Sequence, residues 1–426
     1  MSSSDQASFD IENPYAPLVN SLKEELKSLS QLSSGCSIYK VPEALRDVNA
    51  KAYTPRVVSI GPLHYGNERL KAMEEHKKRY LQNFMERTEG TLESYVKAVK
   101  EKEAELRGCY AETIQFSSDK FAEIILIDAA FVIELLLRSW FDELKGESER
   151  ICVQDVRVDM LCLENQVPFF ILEVLFDLSQ IDKKPSIIEL SYKFFKRIIL
   201  GRGTEDKLKS TSTPKVKHFV DLVRFLHLPS KEQGKGEVET VKAPTVTELH
   251  QAGVKFKAGS SRNLFDIHFN KEEGILEIPK LTVGFATEVQ LRNIIAYEQL
   301  YREKRYMNDY VVFIDRLVST PKDVDLLVKY GIVENLRADS NEAATLINNL
   351  ARGALFKRKD FYFASICDGL NKYYRTSWHR WKANLKQNYF NTPWAIISFI
   401  AAVVLLLLTL TQTINSLITI SWGKQN

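Results

Sequence analysis

The sequence predicts a mainly α-helical fold with a small antiparallel β region, followed by a single C-terminal transmembrane helix. Three observations predict it. Apolar residues recur at helical spacing over most of the chain. Short β-branched and aromatic segments alternate with turn residues after Thr247. No Lys, Arg, Asp or Glu interrupts the stretch from Gln387 to Gly423. With 45% hydrophobic and 27% charged residues, the composition is that of a packed globular chain rather than a disordered tether.

Residues 1–35 read as a flexible N-terminal segment. Its start is polar and acidic, without the basic and apolar regions of a secretory signal. Leu18, Leu22, Leu26 and Leu29 then fall at helical spacing around Lys23, Glu24 and Glu25. This predicts a short amphipathic helix whose apolar stripe docks on the body. The body itself is expected over residues 36–350. Pro42, Pro55 and Pro62 punctuate residues 36–66, which favours short extended pieces and turns. From Glu68 to Gly108 the pattern is helical, with Leu70, Met73, Tyr80, Leu81 and Phe84 marking one face.

Ser118 to Leu144 predicts a buried helix capped by Ser118 or Asp119. Glu123, Asp128 and Glu134 interrupt its apolar run, and charge inside a bilayer is costly, so it reads as a core helix rather than a second span. Asp155 to Leu178 is helical with a break at Pro168. Residues 201–217 and 229–245, rich in Gly, Ser, Thr, Pro and Lys, read as mobile surface loops. Between them His218–Leu228 is a short amphipathic helix. Strands are expected at Val254–Lys257, Leu264–Phe269 and Ile275–Ile278. Helices resume from Glu288 to Leu317 and from Lys322 to Phe356, and no fixed-period repeat occurs.

A hydrocarbon core about 30 Å thick takes roughly 20 apolar residues to cross as a helix, and Trp394–Leu417 meets that length. In lipid the backbone must be hydrogen-bonded internally, which a helix achieves. Residues 351–390 form a basic juxtamembrane segment with nine cations, among them Lys372, Arg375, Arg380, Lys382 and Lys386, against two anions. Only Lys424 follows, in a stub of residues 418–426. Positive charge stays on the cytosolic side, so residues 1–390 are expected to face the cytosol. Trp378, Trp381, Tyr389 and Trp394 on one flank and Trp422 on the other suit the two membrane interfaces. Plasma membrane and endoplasmic reticulum both fit such a span.

The absence of Asn-x-Ser/Thr acceptors agrees with a cytosolic body. Residues 1–350 carry a net charge of −5, so the overall +3 belongs to the tail. A basic belt beside a span points to anionic lipid, not to nucleic acid. The span lacks a small-xxx-small face, which argues against a channel built by oligomerisation and leaves the oligomeric state open.

No Gly-rich phosphate loop, G-x-S-x-G elbow or H-E-x-x-H motif is present. The seven histidines include no i, i+4 pair, and the five cysteines form no C-x-x-C. No metal, cofactor or disulfide framework is therefore expected, and the thiols read as reduced and buried. Asp128 and Glu134, or Asp155, Asp159 and Glu164, are the candidate acid–base groups. A simpler reading has Asp155 and Asp159 facing solvent or capping helices, and the buried-helix acids paired with Arg or backbone donors. Glu164-Asn165-Gln166, three polar residues between apolar runs before Pro168, suit a buried bend whose loose backbone groups they satisfy. Ser59-Ile-Gly-Pro-Leu-His64 reads as a turn. His64, Asp128, Glu164 and Asn165 make the candidate polar cluster, and an enzymatic role would require His64, Asp128 and Glu164 to converge in one pocket.

Those segments carry a resemblance. Ile38-YKVPEALRDVN, Tyr53-TPRVVSIGPLHYG, Met73-EEHKKRYL, Asp128-AAFVIELLL and Asp159-MLCLENQVPFFILEVLF resemble the plant DUF247 family, also called UPF0481. So do Thr247-ELHQAGVKFK, Ile278-PKLTVGFATEVQLRNIIAYEQ, Asp323-VDLLVKYGIVEN and Tyr389-FNTPWAIISFIAA, in the same order along nearly the whole chain. Two departures stand out: Leu63-His64-Tyr65 where members more often have an aromatic and two histidines, and Asp128-Ala-Ala-Phe where many have Gly or Cys before Phe. The resemblance implies a plant single-pass membrane protein without established enzymatic activity. Some members are encoded at grass self-incompatibility loci, which implies recognition or signalling. The expectation is a membrane-tethered interaction or signalling module with a protein partner; the alternative is a membrane-bound enzyme with an unrecognised site.

Overall fold

A computed structural model describes residues 15–28, 35–146, 153–181, 185–196, 198–199, 215–229, 243–261, 263–301, 304–376 and 392–422. Leu29, most of the two expected loops, Trp378, Arg380, Trp381, Lys382, Lys386, Tyr389 and residues 423–426 lie outside these, as does the side chain of Trp422. The chain divides into two compact units where one body was expected. Met1–Arg197 with Pro214–Leu222 form the first, and Ile198–Thr213 with Val223–Asn426 form the second.

The first unit is helical: α1 (Ala16–Ser28), α2 (Glu43–Asn49), α3 (Ala72–Arg87), α4 (Leu92–Glu101), α5 (Glu103–Arg107), α6 (Ser118–Trp140), α7 (Val153–Asp159), α8 (Phe169–Leu178) and α9 (Ile187–Phe195), joined by the start of α10 (Phe219–His227). A helix apolar all round must be enclosed. Accordingly α3, α4, α8 and α9 pack around α6, and every side chain from Ile124 to Leu137 is buried. Phe131 meets Tyr80 edge-on at 5.0 Å, and burying one such side chain contributes about 1.5–3 kcal/mol. The N-cap of α6 is Ser117, whose side chain accepts from Lys120 N–H, not Ser118 or Asp119. Lys100 Nζ engages those two instead, at 2.6 and 2.5 Å. Pro168 precedes α8 and, lacking an N–H to satisfy, forms its N-cap.

Helix α1 forms, but its stripe does not dock. Leu18, Leu22 and Leu26 are 61%, 46% and 66% exposed. Spacing dictates which residues share a face of the helix; what covers that face is a separate matter.

The second unit holds the rest of α10, then α11 (Val246–Gln251), β1 (Lys255–Gly259), β2 (His268–Asn270), β3 (Ile275–Pro279), β4 (Leu281–Val283), α12 (Phe285–Tyr301), α13 (Tyr306–Leu317), α14 (Pro321–Lys329), β5 (Val333–Asn335), α15 (Ser340–Ala351), α16 (Ala364–Arg375) and α17 (Pro393–Trp422). The mainly α class stands, but the β region is mixed rather than antiparallel. β3 is central, pairing antiparallel with β2 and parallel with β1, and β4 pairs parallel with β5. Parallel pairing needs a crossover connection, so it is invisible in the local pattern that reveals hairpins. Strand β5 falls where a continuous helix was expected. Gly331, at φ +69°, ends α14 in a Schellman turn: its N–H bonds Val328 O and Ile332 N–H bonds Leu327 O.

The core of this unit is strongly aromatic. Phe363 stacks on Phe313 at 4.6 Å and lies near Phe265, Tyr310, Phe361 and Tyr362. Residues 361–370, expected in the basic juxtamembrane segment, therefore belong to this fold, with Phe361, Phe363, Ile366, Cys367 and Leu370 buried. Lys372 and Arg375 remain exposed at the end of α16.

Candidate functional site

The polar residues singled out in the sequence gather in the first unit around one strap, residues 56–64. Three elements hold it by side chains instead of by a strand ladder. Asp159, at the end of α7, accepts from the backbone N–H groups of Arg56, Val57 and Val58 at 2.7–3.0 Å. Asn165 Oδ1 accepts from Ile60 N–H at 2.7 Å while its Nδ2 donates to Val58 O and Asp159 O. Asp128 Oδ2 accepts from Gly61 N–H at 2.8 Å. Gln166 completes the bend, donating to Met160 O and Cys162 O and accepting from Phe219 N–H. These amides belong to no strand ladder among the described residues, and an unmet buried donor costs about 1–3 kcal/mol.

Gly61 is required at the tightest point. Its φ is +77°, and a Cβ there would lie 2.3 Å from Gln166 O. Beneath it Lys77 Nζ, fully enclosed, contacts Asp128 Oδ1 at 2.5 Å, Glu74 at 2.7 Å and Ser59 O at 3.0 Å. Burial pushes the Asp128 carboxyl up to about 6, against the pull of Lys77 and the Gly61 N–H. Burial likewise raises Asp159, opposed by its three backbone donors. A second group forms at Glu164, whose Oε1 accepts from Val41 N–H at 2.6 Å and meets Arg46 at 2.5 Å. His64 Nε2 lies 3.6 Å from Glu164 Oε2. Burial lowers the pKa of His64, with Glu164 opposing.

His64, Glu164 and Arg46 thus form one group, Asp128, Lys77, Glu74 and Ser59 another, and Asn165 holds the strap that carries both. The Asp155 carboxylate stays partly exposed, 3.7 Å from Arg56. Asp159 does not: it is 1% exposed, because the three strap amides need an acceptor. Glu134 pairs with Arg87 and Arg138, at 3.1 and 2.8 Å. Sequence reasoning missed Lys77, Arg46 and Gly61. The signal for Lys77 was present: it sits in the stripe Met73, Lys77, Tyr80, Phe84, where an apolar residue belongs. No cluster of three or more His, Cys, Asp or Glu suited to a metal occurs among the described residues.

The strap and its partners lie inside a region that a family model matches from residue 38 to 408: DUF247, described as a plant protein of unknown function. The chain belongs to the DUF247 family. Among the relatives of this DUF247 chain is the UPF0481 protein At3g47200 of Arabidopsis thaliana, 29% identical over 412 residues covering 89% of this chain and 85% of that one. The putative UPF0481 protein At3g02645 of the same plant is 24% identical, covering 96% of each. No solved structure matches significantly. The DUF247 match extends into α17, where Pro393–Asn415 is a 23-residue apolar helical stretch. It is long and apolar enough to cross a membrane, and none of it is buried in protein, in contrast to α6.

Proposed function

We propose that this DUF247 protein is a membrane-tethered interaction or signalling module: α17 spans a bilayer and the two packed units are presented to the cytosol, where they bind a protein partner. The observation that carries the reading is α17. Side chains such as Leu405, Leu406 and Leu407 are 60–65% exposed, an arrangement stable in hydrocarbon and costly in water. The orientation rests on the nine cations between residues 351 and 386, which belong on the cytosolic side. The strap supports a binding role over catalysis, since its carboxylates already serve backbone N–H groups, Lys77 and Arg46.

Protease treatment of sealed microsomes tests the orientation. Cleavage within residues 1–376 is expected, and full protection of that region would move the body to the other side. The rival, a membrane-bound enzyme, draws on the 3.6 Å approach of His64 to Glu164. Its test is whether His64→Ala abolishes a turnover detected in the purified chain while leaving the fold unchanged.

A further inference from the structure

Between β2 and α16, within the second unit, lies a cleft of about 530 Å³. Its floor is apolar: Ile267 and Ile366 are buried, and Gly369, having no side chain, lets the half-buried ring of Phe269 lie close against α16 beside Tyr373. A Cβ at Gly369 would stand 3.3 Å from that ring. The rim is charged. Lys271, from the turn after β2, and Lys372, near the end of α16, line it together with Ser365 and Asp368. Two other lysines of the strands and their turns sit against carboxylates, Lys257 against Glu277 and Lys280 against Glu334. Lys271 and Lys372 are exposed, and neither ammonium has a hydrogen bond or ion pair among the described residues.

Two unpaired cations facing one cleft favour an anion, and the nearby carboxylate of Asp368 favours a donor on the same ligand. We infer that this cleft binds a phosphate anion that also carries a hydroxyl or ammonium donor, as an anionic phospholipid headgroup presents it: phosphate on Lys271 and Lys372, donor on Asp368, and the adjoining apolar part over Phe269 and Ile366. The choice of a lipid source rests on the membrane-tether reading. Seventeen residues separate Arg375 from Pro393, and at no more than about 3.6 Å per residue they keep the cleft within about 65 Å of the span.

The test uses the full-length chain in a neutral detergent, titrated with short-chain phosphatidylserine, phosphatidylcholine or soluble glycerophosphoserine and followed by native mass spectrometry. Phosphatidylserine is expected to bind in preference to phosphatidylcholine. Lys271→Ala with Lys372→Ala should weaken it about thirtyfold, since each lysine near an anionic headgroup is worth about a fivefold factor. Glycerophosphoserine binding with the same loss would assign the site to free phosphate esters as well; binding of the lipid alone would assign it to the bilayer. Unchanged affinity in the double variant overturns the proposal. So does an equal loss in Lys357→Ala with Arg358→Ala, an exposed basic pair outside the cleft, because binding would then be diffuse. Alkaline extraction of membranes carrying the same chain tests the tether separately: a chain that extracts yet binds the headgroup keeps the cleft and loses the anchor.

Discussion

Replacing Gly61 by Ala is the sharpest probe of the strap. Two effects combine. A non-glycine residue at φ +77° pays about 1–2 kcal/mol for the left-handed conformation. The new Cβ would also meet Gln166 O at 2.3 Å, a contact with backbone that no rotamer change relieves. The strap must therefore move, and it is held there by Gly61 N–H on Asp128 at 2.8 Å and Ile60 N–H on Asn165 at 2.7 Å. Losing two buried bonds costs about 1–3 kcal/mol each, so the total is about 3–8 kcal/mol. Gly66 supplies an internal control: its φ is +84°, yet nothing lies within 4 Å of a Cβ there. Gly66→Ala should then cost only the conformational term, about 1–2 kcal/mol. The assay is pulse proteolysis in urea on the detergent-solubilised full chain, reading fragments from residues 36–181. A Gly61→Ala loss within about 1 kcal/mol of the Gly66→Ala loss would refute the argument that Gln166 O sets the requirement.

Lys77→Met should destabilise the first unit by about 3–5 kcal/mol in the same assay, because Asp128 is left as a buried unpaired charge; Asp128→Asn, whose amide oxygen still accepts from Gly61, should cost less. Burial lifts the Asp309 carboxyl, which accepts from Tyr362 N–H at 3.0 Å, to about 7 from an ordinary value near 3.8. A raised acid favours the folded state at low pH, and that stability is lost as pH rises toward 7. Unfolding of the second unit between pH 4 and 7 should show the decline, up to about 4 kcal/mol, and Asp309→Asn should flatten it. Leu407→Arg with Val404→Arg, at the middle of the span, should release the chain on alkaline extraction, since each arginine costs about 2.5–3.5 kcal/mol of insertion. Retention of that variant in the membrane would count against α17 as the anchor.

The legibility of the chain follows from how local each signal is. Helix α6 could be placed from Ser118 onward because its enclosure is written in its own apolar residues. Its cap moved by one residue, to Ser117, because Lys100 in another helix engages the neighbouring side chains. Glu164-Asn165-Gln166 could be read as backbone-satisfying before the groups it satisfies were known. Asp159 O, Met160 O and Cys162 O are close by in the chain, but Val41, Ile60 and Phe219 are far away along it, and only folding brings them there. Asp159 reads from its neighbours as a solvent-facing or helix-capping acid for the same reason: nothing beside it in the sequence announces the three strap amides it serves. Gly331 was a legible break that the helical periodicity on both sides obscured.

The sequence by itself determined the helical class, the family resemblance and the apolar C-terminal helix, because periodicity, ordered motifs and hydrophobic length are properties of consecutive residues. Tertiary structure alone decided the parallel pairing of β1 with β3 and the entry of Phe361–Phe363 into the core of the second unit. It also decided the enclosure of Lys77 against Asp128 and the cleft between Lys271 and Lys372. Each of these joins residues distant in the chain, and whether a charged side chain is solvated, paired or left open depends on the surfaces that folding places around it.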